Sequence, residues 1–186
     1  IETVESYPSH LLDVLRSLVP NNCKKEPNIV ILTPGPLNSA YYEHSFLADM
    51  MGIELVQGSD LFVYDNITFM KTTEGPKRVD IIYRRVDDDY LDPLYYKSDS
   101  LLGVPGIINS YKTGNVNICS APGAGIADDK AIYTFMPEII KFYLGEEPVL
   151  KNIRTWRCYN KSEQKYVINN LSSLVVKEVH GSGGYG

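Results

Sequence analysis

The hydrophobic pattern along the chain alternates between two periods. Residues 4–19 place Leu11, Leu12, Leu15, Leu18 and Val19 at helical spacing, which predicts an amphipathic helix with Ser9 as its N-cap after Pro8 and Pro20 as its stop. Residues 28–33 are a continuous apolar run, the pattern of a strand buried on both faces, broken by Pro34-Gly35-Pro36. A helix is expected over residues 39–51, closed by Gly52, and a second strand over 53–56. Strand, helix, glycine and strand form a βαβ unit, which implies a parallel sheet. Residues 61–64 and 67–70 flank Asp65-Asn66 and read as a hairpin. Residues 79–83 are another buried strand, 100–113 a helix after a Pro/Gly-broken start, and 116–119 a further strand. A long helix is expected over 128–144, with a kink or restart at Pro137, which a straight helix interior tolerates only at a cost of about 3 kcal/mol. Residues 165–168 and 172–179 read as strands.

The expected fold class is therefore α/β: a helical lead-in over 1–27, a Rossmann-like doubly wound parallel sheet over 28–170, and the first strand and loop of a further domain over 171–186. Composition narrows the function. The 186 residues are 44% hydrophobic and 22% charged, an ordinary globular balance. The net charge of -5 argues against a nucleic-acid partner. No apolar run approaches the roughly 20 residues that span a bilayer, so no membrane partner is expected. The first ten residues lack the basic and apolar regions of a signal peptide. Cys23, Cys119 and Cys158 are far apart and form no CxxC pair, so they read as reduced thiols of a cytoplasmic protein. Cys119 is a candidate nucleophile only if a histidine reaches it through the fold.

Candidate chemistry concentrates in a few segments. Near the end, Val175-Val176-Lys177 feeds into Gly181, Ser182, Gly183, Gly184 and Gly186. Unblocked backbone N–H groups in such a loop can converge on phosphate oxygens, and a lysine in the preceding segment can bring an ammonium to them. The lysine precedes the glycines, so this is not a Walker A loop. A glycine-rich linker and an edge-strand lysine remain the plain alternatives. Arg84 and Arg85 close a buried strand, where crevices in open parallel sheets bind ligands. One is expected to face the crevice as a carboxylate or phosphate clamp, the other to pair with Asp87, Asp88 or Asp89. Asp87, Asp88, Asp89 and Asp92 either bind a metal, attract an amine, or form a solvated or arginine-paired face. After the first strand, Asn38 and Ser39 either contact an anion or cap the helix, and Tyr41, Glu43 and His44 follow on it. Gly123, Gly125, Asp128, Asp129 and Lys130 form a second glycine loop before a helix, suited to an anion or to N-capping alone. Trp156 reads as a packing residue.

Five stretches carry a resemblance: LTPGPLNSAYYEH (32–44), IYRRVDDDYLDP (82–93), GIADDKAIY (125–133), YLGEEP (143–148) and VVKEVHGSGGYG (175–186). With them the chain resembles the circularly permuted ATP-grasp proteins of bacteria, relatives of glutathionylspermidine synthetase and glutathione synthetase. The resemblance covers essentially the whole chain. It implies ATP and Mg2+ as cofactors, and a carboxylate–amine ligase that activates a small-molecule or peptide carboxylate as an acyl phosphate for attack by an amine. It implies ATP contacts at Lys177, Gly181, Ser182, Gly183, Gly184 and Gly186. Substrate contacts are expected at Arg84, Arg85, Asn38, Ser39, His44, Asp88, Gly125, Asp129 and Lys130. The family's acidic magnesium motif has no counterpart here, so the chain is expected to be an internal piece of a longer ligase, inactive alone. A helical alpha-E protein is an implied partner. A nucleotide-binding module without ligation and a plain Rossmann nucleotide domain are the alternatives.

Overall fold

The computed structural model describes residues 4–180, and contacts divide the chain into two compact units, Ile1–Gly123 and Ala124–Gly186. The glycine loop over 181–186 lies outside the described residues.

The first unit is built on a parallel sheet. Its strands are β1 (Ile29–Leu32), β2 (Glu54–Val56), β6 (Ile81–Arg84) and β7 (Asn117–Cys119), in the order β2-β1-β6-β7. An antiparallel sheet holds β3 (Leu61–Tyr64), β4 (Ile67–Met70) and β5 (Lys77–Arg78). The continuous apolar run becomes β1 because both of its faces are buried. Ile29 and Ile31 point into a layer with Leu15, Leu47, Ala48 and Met51, while Val30 and Leu32 point the other way into a cluster with Leu61, Met70, Ile82 and Ile107. The first layer belongs to α1 (Tyr7–Ser17) and α2 (Tyr41–Met51). The second face is covered by the antiparallel sheet, which lies between β2 and β6 in the chain, together with α3 (Asp88–Leu91) and α4 (Ile107–Lys112), which lie in the connection from β6 to β7.

Local chemistry sets the element ends. Gly52 takes φ 63° and donates its N–H to the Ala48 and Asp49 carbonyls, closing α2. Asp65 and Asn66 have φ 50° and 57°, the left-handed pair that turns the β3–β4 hairpin. α1 begins at Tyr7 with Pro8 in its first turn, so Ser9 lies inside the helix and is not its N-cap. The expected helix over 100–113 is confined to Ile107–Lys112. The preceding backbone is committed elsewhere, since Val104 N–H bonds to the Leu91 carbonyl at 2.9 Å and a Cβ on Gly103 would lie 2.1 Å from the Tyr90 oxygen.

In the second unit, Pro137 sits in the first turn of a new helix. Residues 128–144 divide into α5 (Lys130–Tyr133) and α6 (Met136–Leu144), the restart the proline demands. Residues 165–168 are helical, not extended: they lie in α7 (Lys161–Asn169), started by the Asn160 side chain accepting from Ser162 N–H. Trp156 stacks on Tyr166 at 5.0 Å with Arg154 over its ring, as a packing residue does. The expected strand over 172–179 does not form. Leu171–Ser173 is a 3-10 turn, and Val175, Val176 and Val179 beyond it face solvent, Val175 at 82% exposure; no described strand pairs with them.

Candidate functional site

The parallel sheet reverses its winding at β1, with β2 reached on one side and β6 and β7 lying on the other. Ligands of open α/β sheets bind outside the carboxyl ends of the strands at such a point. The register sets Leu32 level with Arg84, and Arg85 N–H then bonds to the Leu32 carbonyl at 2.8 Å. Thr33 and the two arginines are thereby fixed at the same strand ends.

The arginines do different things. Arg84 is 7% exposed; its Nε donates to the Ser120 carbonyl at 2.6 Å, Nη1 to Val86 at 2.8 Å and Nη2 to Ala121 at 3.1 Å, and it pairs with Asp88 at 2.8 Å. Asp88 also accepts Gly123 N–H at 3.0 Å. The pair pins the loop that leaves β7, and its guanidinium is directed into the protein. Arg85 turns the opposite way, to Glu43 in the first turn of α2, with Nη2 to Oε1 at 2.6 Å. Its Nη1 also donates to the Tyr83 hydroxyl at 3.3 Å. Burial and then the neighbouring Tyr83 push the Tyr7 pKa up, while Arg85 opposes them. Sequence reading missed Glu43 as the partner of Arg85 and the two tyrosines beside it. The pairing depends on strand register and helix packing, which local spacing does not carry.

Of the residues on the strand–helix junction, His44 is 2% exposed and its Nδ1 lies 2.8 Å from the Thr33 hydroxyl, which accepts Gly35 N–H at 3.2 Å. It locks the turn after β1. Burial holds the ring below the ordinary histidine pKa, Arg85 adds to this and Glu43 opposes it. A depressed pKa means that the unfolded chain takes the proton first, so this contribution to stability is full above about pH 6.5 and is lost as pH falls toward the folded value. His44→Gln should therefore lose stability less steeply than the wild type between pH 7.5 and 5.5 in urea unfolding; equal slopes would refute a buried neutral ring. Asn38 accepts Ala40 N–H at 2.9 Å, and the N-cap position of α2 is Ala40, with no side-chain cap. Asn38 and Ser39 are both exposed on this turn, and neither occupies the cap.

The four aspartates do not converge. Asp89 is exposed beside Lys97, Asp88 holds Arg84, Asp87 starts α3, and Asp92 is fully buried, accepting N–H groups of Leu94, Gly106 and Ile108 at 2.9, 3.1 and 3.0 Å. Asp92 is thus a structural carboxylate, with neither a metal-binding nor an amine-binding position. No group of three His, Cys, Asp or Glu side chains is placed to hold a metal among the described residues. Burial pushes the Cys119 thiol up, away from an activated thiolate.

In the second unit, Asp129 caps α5 by accepting Ala131 N–H at 2.7 Å. Gly125 lies in the 3-10 turn Ala124–Asp128 just before it. Lys130 N–H bonds to the Val179 carbonyl at 3.2 Å, and His180 Nδ1 lies 3.8 Å from Asp129. The start of α5 and the backbone that leads into the glycine loop therefore touch. Lys177 is exposed on the irregular segment between the 3-10 turn and that contact. The glycine-loop positions Gly181, Ser182, Gly183, Gly184 and Gly186 lie outside the described residues. No described helix is long and apolar enough to cross a membrane.

The chain is 52% identical over 186 residues to an uncharacterized protein of Synechocystis sp., covering all of this chain and 38% of the relative. It is 50% identical over 186 residues to an uncharacterized protein of Mycobacterium tuberculosis, of which it covers 34%. A Frankia alni protein named "Putative glutamate--cysteine ligase 2-3" is 39% identical over 181 residues, 97% of this chain and 21% of that protein. The chain thus spans little more than a third of the length of the first two relatives. A family model described as "a circularly permuted ATPgrasp" matches residues 1–186. Matched from end to end, with a parallel α/β sheet ahead of a lysine-and-glycine segment, the chain belongs to the circularly permuted ATP-grasp family.

Proposed function

We propose that the chain is part of an ATP-dependent carboxylate–amine ligase. The first unit serves as its Rossmann-like substrate side, and the segment from Lys177 through the glycine loop serves as its phosphate-binding side. The observation that carries this reading is the family match over all 186 residues; the ligase name of the Frankia relative points the same way.

The chemistry of the residues fits. Lys177 is an exposed cation on a segment without a strand ladder, free to reach phosphate oxygens together with backbone N–H groups from residues 181–186. ATP–Mg2+ supplies the phosphoryl group that converts a carboxylate into an acyl phosphate. Ligands for the magnesium are assigned to residues beyond those described. Arg85 holds the carboxylate-bearing substrate, Arg84 and Asp88 hold the loop after β7, and the amine displaces phosphate. An alpha-E-type helical protein is the proposed partner, and the cytoplasm the proposed compartment.

Hydroxylamine tests the reaction class. The intact protein, given ATP, Mg2+ and a panel of amino-acid and peptide carboxylates, is expected to form a hydroxamate with at least one acid, in step with ADP release. ADP release without hydroxamate for any acid would refute the acyl-phosphate route.

A further inference from the structure

Arg84 spends its donors on three backbone carbonyls and Asp88, so the ligand-facing cation at the switch point is Arg85. Arg85 is itself closed by Glu43, at 2.6 Å, with side chains 28% and 54% exposed. We propose that this ion pair is the resting form of a receptor for an α-amino-acid head group, in which the ligand's carboxylate replaces Glu43 on Arg85 and its ammonium replaces Arg85 on Glu43. The proposal rests on the ligase reading and names the class of its acid substrate.

Charge balance selects the zwitterion. A simple carboxylate that takes Arg85 leaves Glu43 without its cation, and a simple amine that takes Glu43 leaves Arg85 without its anion. Stranding either partner of a part-buried pair opposes binding. A carbon bearing both groups restores both contacts at once. The Tyr83 hydroxyl, 3.3 Å from Arg85 Nη1, adds a neutral partner for the incoming carboxylate. An amino acid held this way has its α-carboxylate occupied, so the carboxylate to be activated lies on its side chain.

Calorimetry on the intact protein with L-glutamate and with glutarate, which differ only in the α-ammonium, tests this. The wild type is expected to bind glutamate at least about tenfold more tightly. Glu43→Gln should abolish that preference by weakening glutamate and strengthening glutarate, because Arg85 is then released. Arg85→Gln should lose both. A preference that survives Glu43→Gln, or failure of both acids to bind the folded wild type, overturns the proposal. ATP affinity, measured in the same samples, reports on the ligase reading separately: glutamate selectivity with no ATP binding would sink that reading and leave the receptor standing.

Discussion

Asp92→Ala is expected to destabilise the first unit on the order of 3–5 kcal/mol, enough to unfold a typical domain of this size at moderate temperature. Asp92 is 0% exposed and its carboxylate accepts three backbone N–H groups, from Leu94, Gly106 and Ile108. One oxygen holds the turn after α3 and the residue before α4; the other reaches into the first turn of α4. Alanine leaves the Gly106 and Ile108 donors buried without an acceptor, against the cluster around Leu91, Val104 and Ile107. Asparagine keeps one acceptor oxygen but turns an amide donor toward a backbone N–H, so Asp92→Asn should lie between wild type and alanine. Asp89→Ala removes a 72% exposed carboxylate 4.0 Å from Lys97 and should change stability by less than about 0.5 kcal/mol. Urea midpoints of the three variants check the order, and an Asp92→Ala midpoint equal to that of Asp89→Ala would show that the buried carboxylate holds nothing.

That contrast marks where the sequence is informative and where it is not. In a run of neighbouring aspartates nothing local distinguishes Asp92 from Asp89, because the difference lies in donors 14 and 16 residues further along. The parallel sheet was legible, since β1 and β6 are apolar on both faces and the glycine and Asp-Asn signals each act on a single turn. So was the pairing of one of the two consecutive arginines with an acid of its own loop; Asp88 takes Arg84. The acid that takes Arg85 was not legible. Glu43 comes from a helix 42 residues earlier, brought there by the way α2 packs on β1. Helix α7 was misread because Tyr166, Val167 and Ile168 sit next to one another in a strand-like triplet, while only Val167 is buried. The segment after it was misread for a different reason: β-branched residues favour a strand only where a neighbouring ladder exists, and none is present among the described residues.

Removal of the Lys177 ammonium carries the second large effect. A charge-assisted contact to phosphate contributes about 1.5–3 kcal/mol, which corresponds to roughly a 10- to 150-fold change in affinity. Lys177 is exposed, so Lys177→Ala should fold as the wild type does. Lys177→Arg keeps the charge and should recover part of the loss. Lys130, whose backbone N–H is tied to Val179, is the comparison, because it lies beside the same stretch of chain. Titration of ATP–Mg2+ into the intact protein by calorimetry is the most direct test of an ATP-grasp ligase with this segment as its phosphate grip. A fall in affinity of tenfold or more in Lys177→Ala, with an unchanged unfolding midpoint, is the predicted result; ATP affinity equal to that of the wild type would contradict it.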